Sequence, residues 1–338
     1  VQGASVVKPL VGEAAPVPSD AAVLRPRPES FRGLALSLAL NPAYSQVDTY
    51  HMTAVTVDEA VRRLLAVGAG VAHIGGVDNF CWPNVEYHPQ NNPDGRYKAA
   101  QLVRACLGLK DLCLTYDIPL LSGKDSMYVD GLLPGAYGEM HRVSGQPTLF
   151  FTAVSVLPDL RRALSPEWKR PGDLIYLLGE TRAELGGSEF YEMLGYVGLS
   201  VPQVRPAEFL TYYRGLEQAG EAELLASAHG VYRGGLAVHL VLVSLSAGLG
   251  LEVDLGEVAP ASLDHVSLYS ESAGRFLVSV DPAQQGRLEE LFEGQPLTLI
   301  GRVREDDRFK ISRHDRILLE APLGDLRAAW ERRFGSLV

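Results

Sequence analysis

The sequence predicts an α/β protein of two domains, and three observations carry that expectation. Short apolar runs at residues 71–77, 147–157 and 174–179 have the length and composition of buried strands. Between the first two lies a longer segment in which Ala99, Leu102, Val103, Cys106, Leu109 and Cys113 recur at three- and four-residue steps, the pattern of a helix laid across a sheet. The length of 338 residues exceeds one ordinary core and suits two.

Taken in order, residues 1–30 are rich in Pro and Gly with short apolar runs, and read as an extended connector arm that joins a sheet edge. The first domain is expected over 31–160. It opens with a strand at 33–40, ended by Asn41-Pro42. Thr56-Val57-Asp58-Glu59 fits a capping box that starts a helix, Ala60, Val61, Leu64 and Leu65 form its apolar stripe, and Gly68 stops it. The second domain is expected over 161–338, with strands at 174–179, 251–255, 275–280 and 297–303. Helices are expected at 212–228, 236–245 and 283–293, and the charged run from Arg302 to Arg308 reads as a solvated turn.

Composition narrows the function. A hydrophobic fraction of 46% with 21% charged residues is that of a globular protein with a sizeable core. A net charge of −10 argues against a nucleic-acid partner or an anionic membrane surface, both of which call for clustered Lys and Arg. Three cysteines without metal-ligand spacing, and no long apolar run, point to a reducing, cytoplasmic setting. The opening Val1-Gln2-Gly3 reads as a cut from something longer.

Two polar clusters carry the candidate chemistry: V-D-N-F-C-W-P at 77–83 and L-S-G-K-D-S-M at 121–127. Each follows an apolar run, so each reads as a loop at a strand's carboxyl end, where α/β sheets bind ligands, and the two could face one cleft. Asp78 and Asp125 are hard oxygen donors of the kind Mg²⁺ accepts, Lys124 offers a point charge to a phosphate, and Ser126 offers a hydroxyl. The plainer alternative is that Asp78-Asn79 caps a turn and Asp125 pairs with Lys124. Gly186-Gly187-Ser188 at a helix start suits an anion nest, although paired glycines more often serve a tight turn. His51 has no visible partner and reads as structural. There is no Ser-His-Asp signature, no Walker A pattern and no dinucleotide glycine fingerprint.

With the two clusters, P-D-G-x-Y-K-x-A-Q-L-V-R-A from Pro93 to Ala105 and E-L-G-G-S-E from Glu184 to Glu189 resemble phosphoribosylformylglycinamidine synthase II. The opening V-Q-G-A-S-V-V-K-P-L-V-G and the string from Ser270 to Phe276 extend the resemblance along the chain. It implies the second half of an internal pseudodimer, namely an aminoimidazole-ribonucleotide-synthetase-like N-domain followed by its C-domain. It also implies ATP and Mg²⁺ as cofactors, with the N-terminal half of the same synthetase and a glutaminase component as partners. The reaction implied is ATP-dependent conversion of formylglycinamide ribonucleotide and ammonia to the amidine. Carried over by position, Asp78 and Gly123 match ATP contacts and Ser126 a substrate contact.

Two departures accompany the resemblance. Lys124 stands where many members have a magnesium-ligating Asn, so either Asp125 takes the metal or Lys124 replaces one ion's charge. Where relatives carry His-Asp-x-Ser-Asp-Gly-Gly-Leu-Ala, this chain has His229-Gly230-Val231-Tyr232-Arg233-Gly234-Gly235-Leu236-Ala237, so an auxiliary nucleotide site there is expected to be weakened while the fold survives. The Ser-His-Asn-His motif of the family's first half is missing, so the chain alone is expected to lack catalysis. The alternatives are a non-catalytic nucleotide-binding or scaffolding module and a homodimeric aminoimidazole-ribonucleotide-synthetase-like enzyme, in which the half self-associates.

Overall fold

The computed structural model describes residues 4–12, 17–259 and 261–332. The first part of the chain runs β1 (Ser5–Val7), β2 (Leu10–Val11), β3 (Val17–Pro18), β4 (Ala22–Leu24), β5 (Gly33–Leu40), α1 (Thr49–Ala66), β6 (Gly75–Trp82), α2 (Gly95–Thr115), β7 (Leu120–Met127), a hairpin of β8 (Asp130–Pro134) and β9 (Met140–Ser144), and β10 (Thr148–Leu157). Six of these strands form one sheet in the order β1-β4-β5-β10-β6-β7. Its pairs are antiparallel except β6–β7, which is parallel and is bridged by α2 as a crossover connection requires. The arm thus contributes two strands at one edge, and β7 is the other edge.

The sheet is two-faced. On β5, Ala35, Ser37 and Ala39 are buried beneath α1, where the Ser37 hydroxyl donates to the Ala60 carbonyl at 2.7 Å. Leu38 and Leu40 on the opposite face are 50% and 42% exposed. Leu34, Leu36 and Leu40 sit opposite Val156, Val154 and Phe150 of β10, so the uncovered face carries a continuous apolar patch.

The second part runs β11 (Leu174–Leu178), α3 (Glu189–Met193), α4 (Pro206–Glu221), β12 (Ser227–Gly230), α5 (Gly235–Ala247), β13 (Leu251–Asp254), α6 (Asp264–Tyr269), β14 (Phe276–Val280), α7 (Gln285–Leu291), β15 (Leu297–Val303), β16 (Arg308–Arg313), β17 (Arg316–Pro322) and α8 (Leu323–Glu331). Seven strands form the second sheet in the order β12-β14-β11-β15-β13-β16-β17. The two parts are joined by a buried polar seam. Arg62 on α1 pairs with Asp58 at 2.8 Å and donates to the Val231 carbonyl at 2.7 Å, while Asp58 accepts from Tyr116 and Tyr213, each at 2.7 Å. No helix among the described residues is long and apolar enough to cross a membrane.

Three expectations are corrected. Helix α1 begins at Thr49, capped by Asp48, whose carboxylate accepts from the N–H groups of Tyr50 and His51; Thr56, Asp58 and Glu59 lie buried within it. The helix expected at 212–228 is α4, started by Pro206, and 227–230 is a strand buried in the second sheet. The charged run from Arg302 to Arg308 does turn, at residues 304–307 between β15 and β16, but beyond it lies an unexpected edge pair, β16–β17, where Lys310 and Arg308 bond Glu252 and Glu320 across strands.

Candidate functional site

Both polar clusters are strands, not loops. Asp78-Asn79-Phe80-Cys81-Trp82 is the body of β6, held in the sheet because Phe80 and Trp82 alternate into the core and the Trp82 indole N–H donates to the Lys98 carbonyl at 3.0 Å. Ser122-Gly123-Lys124-Asp125-Ser126 is the body of β7, an exposed edge whose polar residues cost little. The parallel register sets Asp78 against Gly123, Asn79 against Lys124, Phe80 against Asp125 and Cys81 against Ser126. The two clusters are therefore immediate neighbours, as expected, and strand alternation divides them between two faces.

Asp78, Gly123 and Asp125 share the face toward α2. A Cβ at Gly123 would lie 2.8 Å from Asp78 Oδ1, so the carboxylate rests directly over the glycine. Burial, and beyond it the neighbouring Asp125 charge, push the Asp78 carboxyl above its ordinary range. Burial also pushes the Cys113 thiol of α2 up to about 11, with the Asp78 charge adding to it. The opposite face carries Asn79, Lys124 and Ser126. There the Lys124 ammonium meets the Ser126 hydroxyl and turns away from Asp125, and Asn79 Oδ1 is buried without a hydrogen-bond partner.

This donor set fits a substrate-bridged magnesium ion better than a resident one. Among the described residues no group of three or more His, Cys, Asp or Glu is placed to hold a metal. Two carboxylates on one face still meet what Mg²⁺ commonly takes from protein when phosphates complete its shell. A cavity of about 1010 Å³ lies between α2 and the amino ends of β6 and β7; it is lined by Ile74, Cys106, Cys113 and Ile118 among others and by none of the expected site residues.

The glycine pair is differently employed. The N–H groups of Gly186, Gly187 and Ser188 donate to the carbonyls of Ser200, Val197 and Leu185, and the Ser188 side chain caps α3, so this turn spends its donors internally. Nearby, Arg233 pairs with Glu189 and donates to the Gly187 carbonyl at 3.2 Å. The buried Glu271 carboxylate accepts from the Gly234 and Glu189 N–H groups at 2.7 and 2.9 Å and from the Tyr44 hydroxyl. An arginine thus stands beside the glycine pair of α5, in the string where the resemblance implied acidic residues. Sequence reasoning took Asn79 together with Asp78, and what it missed is that the two alternate to opposite faces of β6.

Comparison with known proteins agrees with this architecture. The family described as AIR synthase related protein, N-terminal domain, matches residues 18–155, and AIR synthase related protein, C-terminal domain, matches residues 170–314. The chain belongs to the AIR synthase related family. Among curated relatives, phosphoribosylformylglycinamidine synthase subunit PurL of Gloeobacter violaceus is 33% identical over 283 residues, covering 80% of this chain and 34% of that protein. PurL of Thermobifida fusca is 31% identical over 325 residues, covering 95% and 39%. The chain spans about two fifths of the length of the curated relatives it matches. Of solved structures, T. maritima PurL complexed with FGAR superposes with a TM-score of 0.71 at 18% identity, over 95% of this chain and 50% of that one. HypE in the HypE–HypF complex gives 0.65 at 14% identity over 92% and 94%. These structural likenesses place the fold.

Proposed function

We propose that this chain is the C-terminal half of a phosphoribosylformylglycinamidine synthase and supplies part of an ATP site shared with the N-terminal half. The observation that carries the reading is the parallel pairing of β6 with β7, which sets Asp78 over Gly123 beside Asp125 on one face and Lys124 with Ser126 on the other. T. maritima PurL structures of this fold complexed with ATP and with FGAR support the choice of ligands.

In this reading Asp78 and Asp125 would hold magnesium, which when bound would supply positive charge beside the triphosphate. Lys124, Ser126 and the unpartnered Asn79 oxygen orient the nucleotide or the ribonucleotide from the other face. The amide oxygen of the substrate takes the γ-phosphoryl group, and ammonia from a glutaminase component displaces phosphate to give the amidine. The chain alone is inactive, because the remaining walls come from the first half. The uncovered apolar face around Leu34–Leu40, Phe150 and Val154 is where that half packs. This accounts for so much apolar surface on one side of a folded sheet.

Mixing the chain with the separately folded N-terminal half of a full-length relative tests the reading. A complex of one half with the other, with ammonia- and FGAR-dependent ADP release absent from either half, is expected. Folded halves that associate without that activity would favour the scaffolding alternative, as would a Mg-ATP titration of the mixture that gives no heat.

A further inference from the structure

A buried polar chain outside this site joins the connector arm to the second domain. Asp20, between β3 and β4, is 3% exposed, and His229 of β12 and His239 of α5 are 4% and 5% exposed. Asp20 Oδ2 lies 2.7 Å from His229 Nδ1, His229 Nε2 lies 2.8 Å from His239 Nδ1, and His239 Nε2 lies 3.1 Å from the Arg233 carbonyl oxygen. The remaining carboxylate oxygen, Asp20 Oδ1, accepts from the Gly230 N–H at 2.9 Å and the Tyr232 hydroxyl at 2.6 Å.

The two ends of this polar chain, a carboxylate and a main-chain carbonyl, are both acceptors, so three contacts need three protons. Two neutral imidazoles carry one N–H each. With two protons, one buried contact sets lone pair against lone pair, and an unmet polar contact away from water is costly. We propose that Asp20, His229 and His239 form a buried proton-binding site, holding one proton more than an ionised carboxyl with two neutral histidines and fastening the connector arm to the second domain while that proton stays.

The surroundings leave this charge to be balanced within the trio. From α1, the Arg62 and Arg63 guanidinium groups lie 4.9 and 4.1 Å from the Tyr232 ring centre, but Arg62 is paired with Asp58 and Arg63 with Glu59. Arg233, whose carbonyl ends the chain, is paired with Glu189. Burial works against an ionised Asp20, yet the His229 charge and the hydrogen bonds at both oxygens hold its carboxyl below the usual range. Burial, then the His229 charge, push His239 well below the ordinary imidazole range. An ionised Asp20 leaves the third proton of the three contacts to the imidazole pair.

In the unfolded chain both histidines lose their charge near pH ~6.5. The proton that the folded trio keeps above that value adds stability that is lost as pH rises through the folded value, while His239, held neutral, takes stability away as pH falls below the unfolded value. The decisive variant is Asp20→Asn. Its oxygen can accept from Gly230 and Tyr232 while its amide nitrogen donates to His229 Nδ1, so two neutral imidazoles then satisfy all three contacts. In the wild-type chain at pH 7.5, ¹⁵N spectra of the two imidazoles are expected to show three protonated nitrogens of four. The urea-derived folding constant is expected to fall by up to tenfold more per pH unit than in D20N above the unfolded value. Two protonated nitrogens together with an ionised Asp20 carboxyl in ¹³C spectra, or equal pH slopes in the two proteins, would overturn the assignment; should D20N fail to fold, the wild-type spectra alone decide.

Discussion

Replacing Gly123 with Ala tests the geometry of the β6–β7 pair at its tightest point. The added Cβ would meet Asp78 Oδ1 at 2.8 Å, Oδ2 at 3.1 Å and Cγ at 3.2 Å, and no main-chain atom is among its three nearest contacts. The obstacle is a carboxylate on a rotatable side chain, so Asp78 swings aside and the strands keep their register. Overpacking in a core costs about 1–3 kcal/mol, and at an exposed edge strand the cost falls to the lower end, about 1 kcal/mol. The effect on ligand is larger, because the displaced carboxylate no longer shares a face with Asp125. Loss of one charged contact of this kind corresponds to about 1.5–3 kcal/mol, or at least tenfold in affinity. Gly131→Ala in the β8–β9 hairpin is the control, since its Cβ would meet nothing within 4 Å. Urea melts of the chain alone and calorimetric titration of Mg-ATP into the reconstituted halves measure the two effects separately. Nucleotide affinity unchanged in G123A, or reduced equally in G131A, would refute the placement of Asp78 over Gly123.

Asp78→Asn should raise the thermal midpoint of the isolated chain slightly at pH 7 while removing Mg-ATP binding, and the midpoint difference should shrink as pH falls. The sign follows from a carboxyl raised by burial and by Asp125, whose ionisation costs stability that protonation restores. Arg62→Leu should cost about 3–5 kcal/mol in a urea melt, because it strands the buried Asp58 carboxylate between two tyrosine hydroxyls at the joint of the two domains. Phe150→Asp, on the uncovered sheet face, should change the isolated chain's stability by no more than about 0.5 kcal/mol and abolish association with the N-terminal half by size-exclusion chromatography.

Much of the core architecture was legible because periodicity and burial coincide there. The strand expected at 33–40 is β5, and the run at 297–303 is β15. Gly68 stops α1 with φ of +91°, the left-handed backbone that glycine supplies without strain. The site itself misled in one respect. Polar residues in V-D-N-F-C-W and S-G-K-D-S signal turns on local grounds, but a two-sided strand at a sheet edge needs no apolar alternation on its open side. The pairing with a neighbouring strand, invisible in sequence, decides the backbone there. The same physics hid β16 and β17, whose exposed charges bond across strands. Likewise Asp48, a better cap than Thr56, stands a full eight residues earlier, and Asp58 and Arg62 were hidden as a buried pair because Tyr116, Tyr213 and the Val231 carbonyl, all distant in sequence, close over them. Asp20 could not be tied to His229 from sequence, as 209 residues separate them.

Hydrogen exchange on the reconstituted halves, with and without Mg-ATP, reads the pairing of the two strands in the nucleotide complex. Nucleotide is expected to slow exchange in residues 75–82 and 120–127, the two strands that carry Asp78 and Gly123, and G123A to remove this protection. Protection by Mg-ATP confined to other segments, with these two strands unchanged, would contradict it.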